Sequence, residues 1–348
     1  MMKRFSMIVM LLFVAVAALQ AQTSNPQQYK YIFAVAQDGS GDYTSIGEAI
    51  KAMRGYPLAP ITLYIKNGVY KEKLEILANN TDISMIGESV EGTIITFDDY
   101  SGKPYEKGKH GTFSSYTVKV SGNRFTAQNI TFENSSGRVG QALALYVDAD
   151  QALFINCRFV GNQDTIFTGG ELCRQYFLKC DIEGTTDFIF GPATAVFDSC
   201  NIRIKVNSYI TAASTTAGKQ FGYVFRHCNI TADSSVTKFY LGRPWRAHAK
   251  TVFMYCELPA QLAPVGWHNW DNPANEQTTF YAEYKNIGPG AATAQRVPWS
   301  KQLTKKEARQ YSLQNIFSGP QIGRFSTGLF FENTQSIPFV WPGKTSGK

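Results

Sequence analysis

The stretch Phe177-Leu178-Lys179-Cys180-Asp181-Ile182, FLKCDI, has four near copies in the 348-residue chain. They are FINCRF around Cys157, FDSCNI around Cys200, FRHCNI around Cys228 and FMYCEL around Cys256. The shared pattern is Phe-x-x-Cys-x-apolar. FTAQNI, Phe125 to Ile130, reads as an earlier copy with Gln128 in the cysteine slot, so the slot recurs at intervals of 29, 23, 20, 28 and 28 residues. Units of that length, each holding short β-rich runs, suit a parallel β-helix, in which successive coils stack and equivalent residues form ladders about 4.8 Å apart. The cysteine and the apolar residue two places on share a face, the interior. The phenylalanine has the opposite parity, so it either faces outward or is re-aimed by a bend. Cysteine behaves as a small buried hydrophobe, and the five are read as free structural thiols. Cys173 lies outside the pattern.

Composition agrees. Aromatic residues make up 14% of the chain and glycine is frequent at 29, a mixture that favours strands and argues against disorder. The N-terminus reads as an export signal over residues 1–21: Lys3 and Arg4, then an apolar run from Met7 to Leu19 that is too short for a membrane span. Without Lys3 and Arg4 the 34 basic residues become 32 against 27 acidic, a net charge of about +5. That charge suits a polyanionic partner, while the absence of Lys/Arg runs argues against nucleic acid. A helix is expected over Ser45 to Arg54, with Ser45 and Glu48 as a capping box and Gly55 as its stop, covering the first coil. A second is expected over Thr304 to Gln310. SSGRVG and NSYITAASTTAGKQFG read as loops thrown out between coils. The expectation is one all-β domain over 31–319, with 320–348 a tail packed on it or extending from it.

Counted from the slot, Asp164 and Asp187 each lie seven residues after a cysteine, at one position of adjacent coils. Two solvated turn carboxylates would fit that spacing equally well. If the carboxylates are close, they cannot both ionise cheaply, and one pKa is expected up and the other down. The following coils carry Asn207 and Ser235 at that phase. Gln141 and Gln163 are candidate amide donors to an oxyanion. Arg243 is a candidate to hold an ionised aspartate, and Trp245 is a surface for a sugar ring.

The segments GSGDYTSIGEAI, QALALYV, GNQDTIF, GTTDFIFG and LGRPWR, in that order, and FYAEYKNIGPGA near the C-terminus, resemble the pectin methylesterases (pectinesterases) from about Tyr31 to Gly319. The resemblance implies a right-handed parallel β-helix. It also implies that Asp187 is the nucleophile toward the C6 ester of a methylated galacturonate, and Asp164 the general acid and then base. It makes Gln141 and Gln163 oxyanion donors and Arg243 the partner of the nucleophile. Trp245, Phe167 and Phe190 become substrate-binding aromatics. No cofactor or metal is implied. The expected partner is methyl-esterified pectin (homogalacturonan), met by an exported monomer with no nucleic-acid or membrane partner. Thr186, Asn162 and Tyr116 depart from the family pattern, and TGGELCR is about two residues longer than in plant forms.

Other esterase chemistry finds no support: the chain holds no G-x-S-x-G, and His110, His227, His248 and His268 show no metal-like clustering. The alternatives are another β-helical polysaccharide enzyme, a glycosidase or lyase, or a binding β-solenoid without activity. The product separates them: methanol, reducing ends, or an unsaturated sugar.

Overall fold

The structure, a computed structural model, describes residues 29–319, 329–332 and 334–344. The segment read as an export signal, and residues 320–328, 333 and 345–348 of the tail, lie outside those residues. From Tyr31 onward the chain forms one unit. Apart from a two-stranded antiparallel ribbon, Pro104–Tyr105 with Gly108–Lys109, its strands fall into parallel sheets of eleven, seven and seven strands, visited in turn by the central coils of a right-handed parallel β-helix. One coil shows the plan: Ala152–Ile155 lies in the first sheet, Arg158–Val160 in the second and Ile166–Thr168 in the third.

The repeated phenylalanines answer to a bend. Phe154, Phe177, Phe197, Phe225 and Phe253 are register partners along the first sheet and are all buried. Their rings stack at 4.8, 4.7, 4.6 and 4.2 Å, each within 12° of parallel to the next. The cysteines three residues on are buried in the same core. Strict alternation forbids that. It is broken because the residue before each cysteine is left-handed: Asn156 at φ +49°, Lys179 at +54°, Ser199 at +56°, His227 at +51° and Tyr255 at +57°. One such residue at the corner between first and second sheets turns the next side chain inward. Each ring so buried contributes about 1.5–3 kcal/mol, plus about 0.5–1.5 kcal/mol per aromatic contact. Beyond Phe253 the register partner is Glu283, buried and held by Arg296 at 2.7 Å.

That corner also corrects the first copy of the repeat. Ala127 pairs with Phe154 and Gln128 with Ile155, so the left-handed Asn129 matches Asn156 and Ile130 fills the cysteine slot. The Ile130 carbonyl accepts from Arg158 N–H, as Cys157 does from Asp181 and Cys180 from Asn201. Gln128 instead brackets the backbone of the C-terminal segment: its Oε1 accepts from Ile337 N–H at 2.8 Å and its Nε2 donates to Ile337 C=O at 2.9 Å.

The outer face of the first sheet is covered too. Leu153, Tyr176, Val196 and Val224 pack with Ile316, Phe317, Phe330 and Phe331. The N-terminal helix runs Ile46–Ala52, ending two residues earlier than expected, and Ser45 is its cap, accepting from Glu48 N–H. The reciprocal carboxylate is Glu72, which accepts from Ser45 Oγ and from the Ile46 and Gly47 amides. Near the other end, Lys305–Ala308 forms a short helix with a complete Thr304–Glu307 capping box. NSYITAASTTAGKQFG is not all loop: Tyr209–Ala213 is a strand of the third sheet.

Candidate active site

Asp164 and Asp187 sit at the corner that leads into the third sheet. Ile166 pairs with Ile189 and Phe167 with Phe190, so the aspartates two residues earlier are stacked, and Asp164 N–H donates to Thr186 C=O at 3.1 Å. Both are left-handed, at φ +65° and +51°, a conformation aspartate tolerates better than most side chains. The turn delivers each carboxylate to a cleft while Phe188, next in sequence, enters the core. Gly191 closes the strand at φ +131°, where a Cβ would collide with the Thr168 carbonyl. Thr186 has a partner across the coils: its hydroxyl lies 2.7 Å from Ser208 Oγ. The next coil brings Tyr209, not Asn207, beside Asp187, whose N–H donates to Tyr209 C=O at 2.9 Å. The turn after the second sheet is two residues longer there, which shifts the phase.

The cleft, of about 250 Å³, is lined by both aspartates, Gln141, Gln163, Phe190, Arg243 and Trp245, together with Thr112, Phe113, Ala212 and Trp270. Gln141 and Gln163 form an isolated parallel bridge, so their side chains leave adjacent coils at one edge of the cleft. Arg243 follows the short strand Tyr240–Gly242 and grips Asp187 with both ends of its fork, Nε to Oδ1 at 3.0 Å and Nη2 to Oδ2 at 2.6 Å. Its guanidinium lies between two rings, 3.8 Å from the centre of Trp270 and 4.1 Å from that of Tyr209. Trp245 meets Phe190 edge-on at 5.8 Å. Phe167 does not reach this cleft. It packs against Phe113 and Phe190 and lines an adjoining cavity that shares Trp245 and also holds Arg246 and His248.

The two carboxylates titrate differently, though not in opposite directions as expected. Burial pushes Asp164 up to about 8, and the nearby Asp187 adds to the shift. Burial raises Asp187 as well, but the Arg243 hydrogen bonds and charge pull it back. Near neutral pH the arrangement therefore holds a protonated acid beside a carboxylate fixed by a cation. Among the described residues no cluster of His, Cys, Asp or Glu could hold a metal ion.

Tyr209, Phe113 and Trp270 were missed from the sequence. Phe113 and Trp270 sit on irregular segments outside the ladder, where no phase can be counted. The paired tryptophans of GWHNW, Trp267 and Trp270, were the available signal.

A profile of the family described as Pectinesterase matches residues 33–320. Pectinesterase 31 of Arabidopsis thaliana is 38% identical over 297 residues, which cover 83% of this chain and 93% of that protein. Against a probable pectinesterase/pectinesterase inhibitor of the same plant the identity is again 38%, but the chain spans only 52% of that protein, and about half of several others of its kind. Among solved structures, pectin methylesterase from carrot superposes with a TM-score of 0.76 at 34% identity, over 84% of this chain and 93% of that one. A pectin methylesterase in complex with a hexasaccharide gives 0.73 at 29%, over 85% and 100%.

Proposed function

The chain belongs to the pectinesterase family, and on that footing we propose that it removes methyl esters from the C6 carboxyl of galacturonate units in pectin, with Asp187 as nucleophile. One Oδ of Asp187 attacks the ester carbonyl carbon. The tetrahedral oxyanion is met by the amides of Gln141 and Gln163, which supply hydrogen bonds without a net charge. Asp164, protonated, gives its proton to the departing methoxy oxygen, and methanol leaves. The acyl-enzyme is an anhydride between Asp187 and the galacturonate. Asp164, now a carboxylate, takes a proton from water, whose oxygen attacks the sugar carbonyl. The acid product leaves, and Asp187 and Asp164 return to their starting states.

The observation that carries this reading is the asymmetric pair: one buried acid raised to about 8, one buried carboxylate gripped by Arg243, in the same cleft as two glutamines. Trp245 and Phe190 supply flat walls for sugar rings, and Phe167 extends them into the adjoining cavity. Lys3, Arg4 and the apolar run from Met7 to Leu19 support export and action outside the cytoplasm.

The test is methanol release from highly methylated pectin with chain length followed in parallel. Wild type should release methanol without shortening the polymer. Asp187→Asn, nearly isosteric, should release none while remaining folded. Activity within tenfold of wild type in that variant would remove Asp187 from its role.

A further inference from the structure

The loop that carries Trp270 is anchored on the strand that carries Arg243. Gly242 and Trp267 form a parallel bridge, and His268 N–H donates to Gly242 C=O at 3.1 Å. The chain then makes a tight corner. Trp270 and Asp271 are both left-handed, at φ +63° and +53°, with no glycine between them. Such backbone persists only where neighbouring groups hold it. The holder here is His268. Its Nδ1 accepts the Trp270 N–H at 3.0 Å, two residues on, as the side-chain oxygen of an aspartate or asparagine does in an Asx turn. The imidazole is wedged edge-on against Tyr209 at 5.3 Å and Tyr240 at 5.6 Å.

We infer that His268 is a positioning residue for the esterase: it fixes the corner that lays Trp270 on Arg243, and Arg243 so held keeps the Asp187 carboxylate aimed. This rests on Asp187 being the nucleophile. The chain of contacts runs from His268 Nδ1 to the Trp270 backbone, from the indole to the guanidinium at 3.8 Å, and from the guanidinium to both oxygens of Asp187. Without the corner, one wall of the sandwich is lost and the fork keeps only Tyr209. Besides Arg243, the titratable groups around the carboxylate are Asp164, Tyr209 and the buried Tyr281, with Asp271 felt through Tyr209. Substitution of His268 leaves these side chains in place but removes the imidazole that stands 3.7 Å from Asp271 Oδ1 and packs on Tyr209, a loss that alanine, glutamine and asparagine at this position share.

Geometry selects the variants. Asparagine places an oxygen where Nδ1 stands, whereas glutamine places its polar atoms one bond too far and alanine offers none. In 13C-aspartate-labelled protein, with D187N supplying the assignment, the Asp187 carboxyl should titrate about half a pH unit or more higher in H268A and H268Q, since a loosened guanidinium stabilises the charged form less. In methanol release, kcat should fall about tenfold in both, with KM little changed, because misplacement of a reacting group acts on the chemical step. H268N should restore both. W270F against W270L asks the same of the ring, the first keeping an aromatic face over Arg243. The inference is overturned if the Asp187 midpoint and kcat in H268A match wild type, even where Tm has fallen, or if H268N is as impaired as H268A. Should D187N itself release methanol, the nucleophile assignment fails, and the carboxyl titration still reports whether His268 governs the grip on Asp187.

Discussion

Arg243 bonds both carboxylate oxygens of Asp187 and, among the described residues, forms no ion pair with Asp164, although the two aspartates stand at one position of consecutive coils. Equal placement on the solenoid thus becomes unequal chemistry through one side chain two coils further along the chain from Asp187. Arg243 reaches the site because the strand Tyr240–Gly242 pairs with Tyr209–Ala213, which pairs with Ile189–Gly191 beside Asp187.

The pH–rate profile should show the split. The acid role requires Asp164 protonated, so kcat should decline as pH rises through about 8. Asp164→Asn should remove that limb and lower kcat by about 10²-fold or more, since it can neither donate to methoxide nor accept from water. A basic limb unmoved in the variant would assign the proton to another group.

In the same variant, stability should move opposite to activity. The folded Asp164 binds its proton more tightly than the unfolded chain does. The stability this contributes is complete below the ordinary carboxyl pKa of 3.8 and is lost as pH rises toward about 8. Asp164→Asn never ionises, so its Tm should exceed that of wild type at pH 8 and match it at pH 4. Equal differences at both pH values would show that charge burial is not the cause.

Arg243→Ala should lower kcat by about 10²-fold or more and move the acidic limb upward, because Asp187 loses the cation that holds it ionised. Arg243→Lys should recover only part, since a point charge cannot span both oxygens or lie flat between Trp270 and Tyr209. A raised KM with an unshifted acidic limb would make Arg243 a binder of polyanion instead.

The cysteines offer a count. All six are free in the structure, five of them buried. Thiol titration of unfolded, unreduced protein should find six, and native protein should react slowly at all of them, because the five ladder thiols are buried out of reach and burial beside Asp150 and Asp148 pushes the Cys173 thiol up to about 12. Two or fewer in the unfolded protein would mean disulfides.

The solenoid and its paired aspartates were legible because cysteine is rare enough to mark a phase. Where the marker was absent, the phase slipped. Gln128 and Ile130 both fit the slot in FTAQNI, and only the left-handed Asn129 decides between them. Asn207 was two residues early because a turn had lengthened. His268 and Trp270 were illegible for a different reason. Their partners are set by a loop returning to Arg243 in space, and neither alternation nor coil counting reaches across such a loop.

The left-handed corner between the first and second sheets bears on how such a chain can change its length. Removing Asn156 or its equivalents would send the cysteine outward and its charged neighbour inward along the whole following strand. Single-residue insertions and deletions are therefore excluded at every coil corner of this kind. A whole coil, 20 to 28 residues among those between Cys157 and Cys256, can be gained or lost with inside and outside preserved. Lineages of this architecture should differ by complete coils or by outward loops, and the frame of each strand should stay fixed across them.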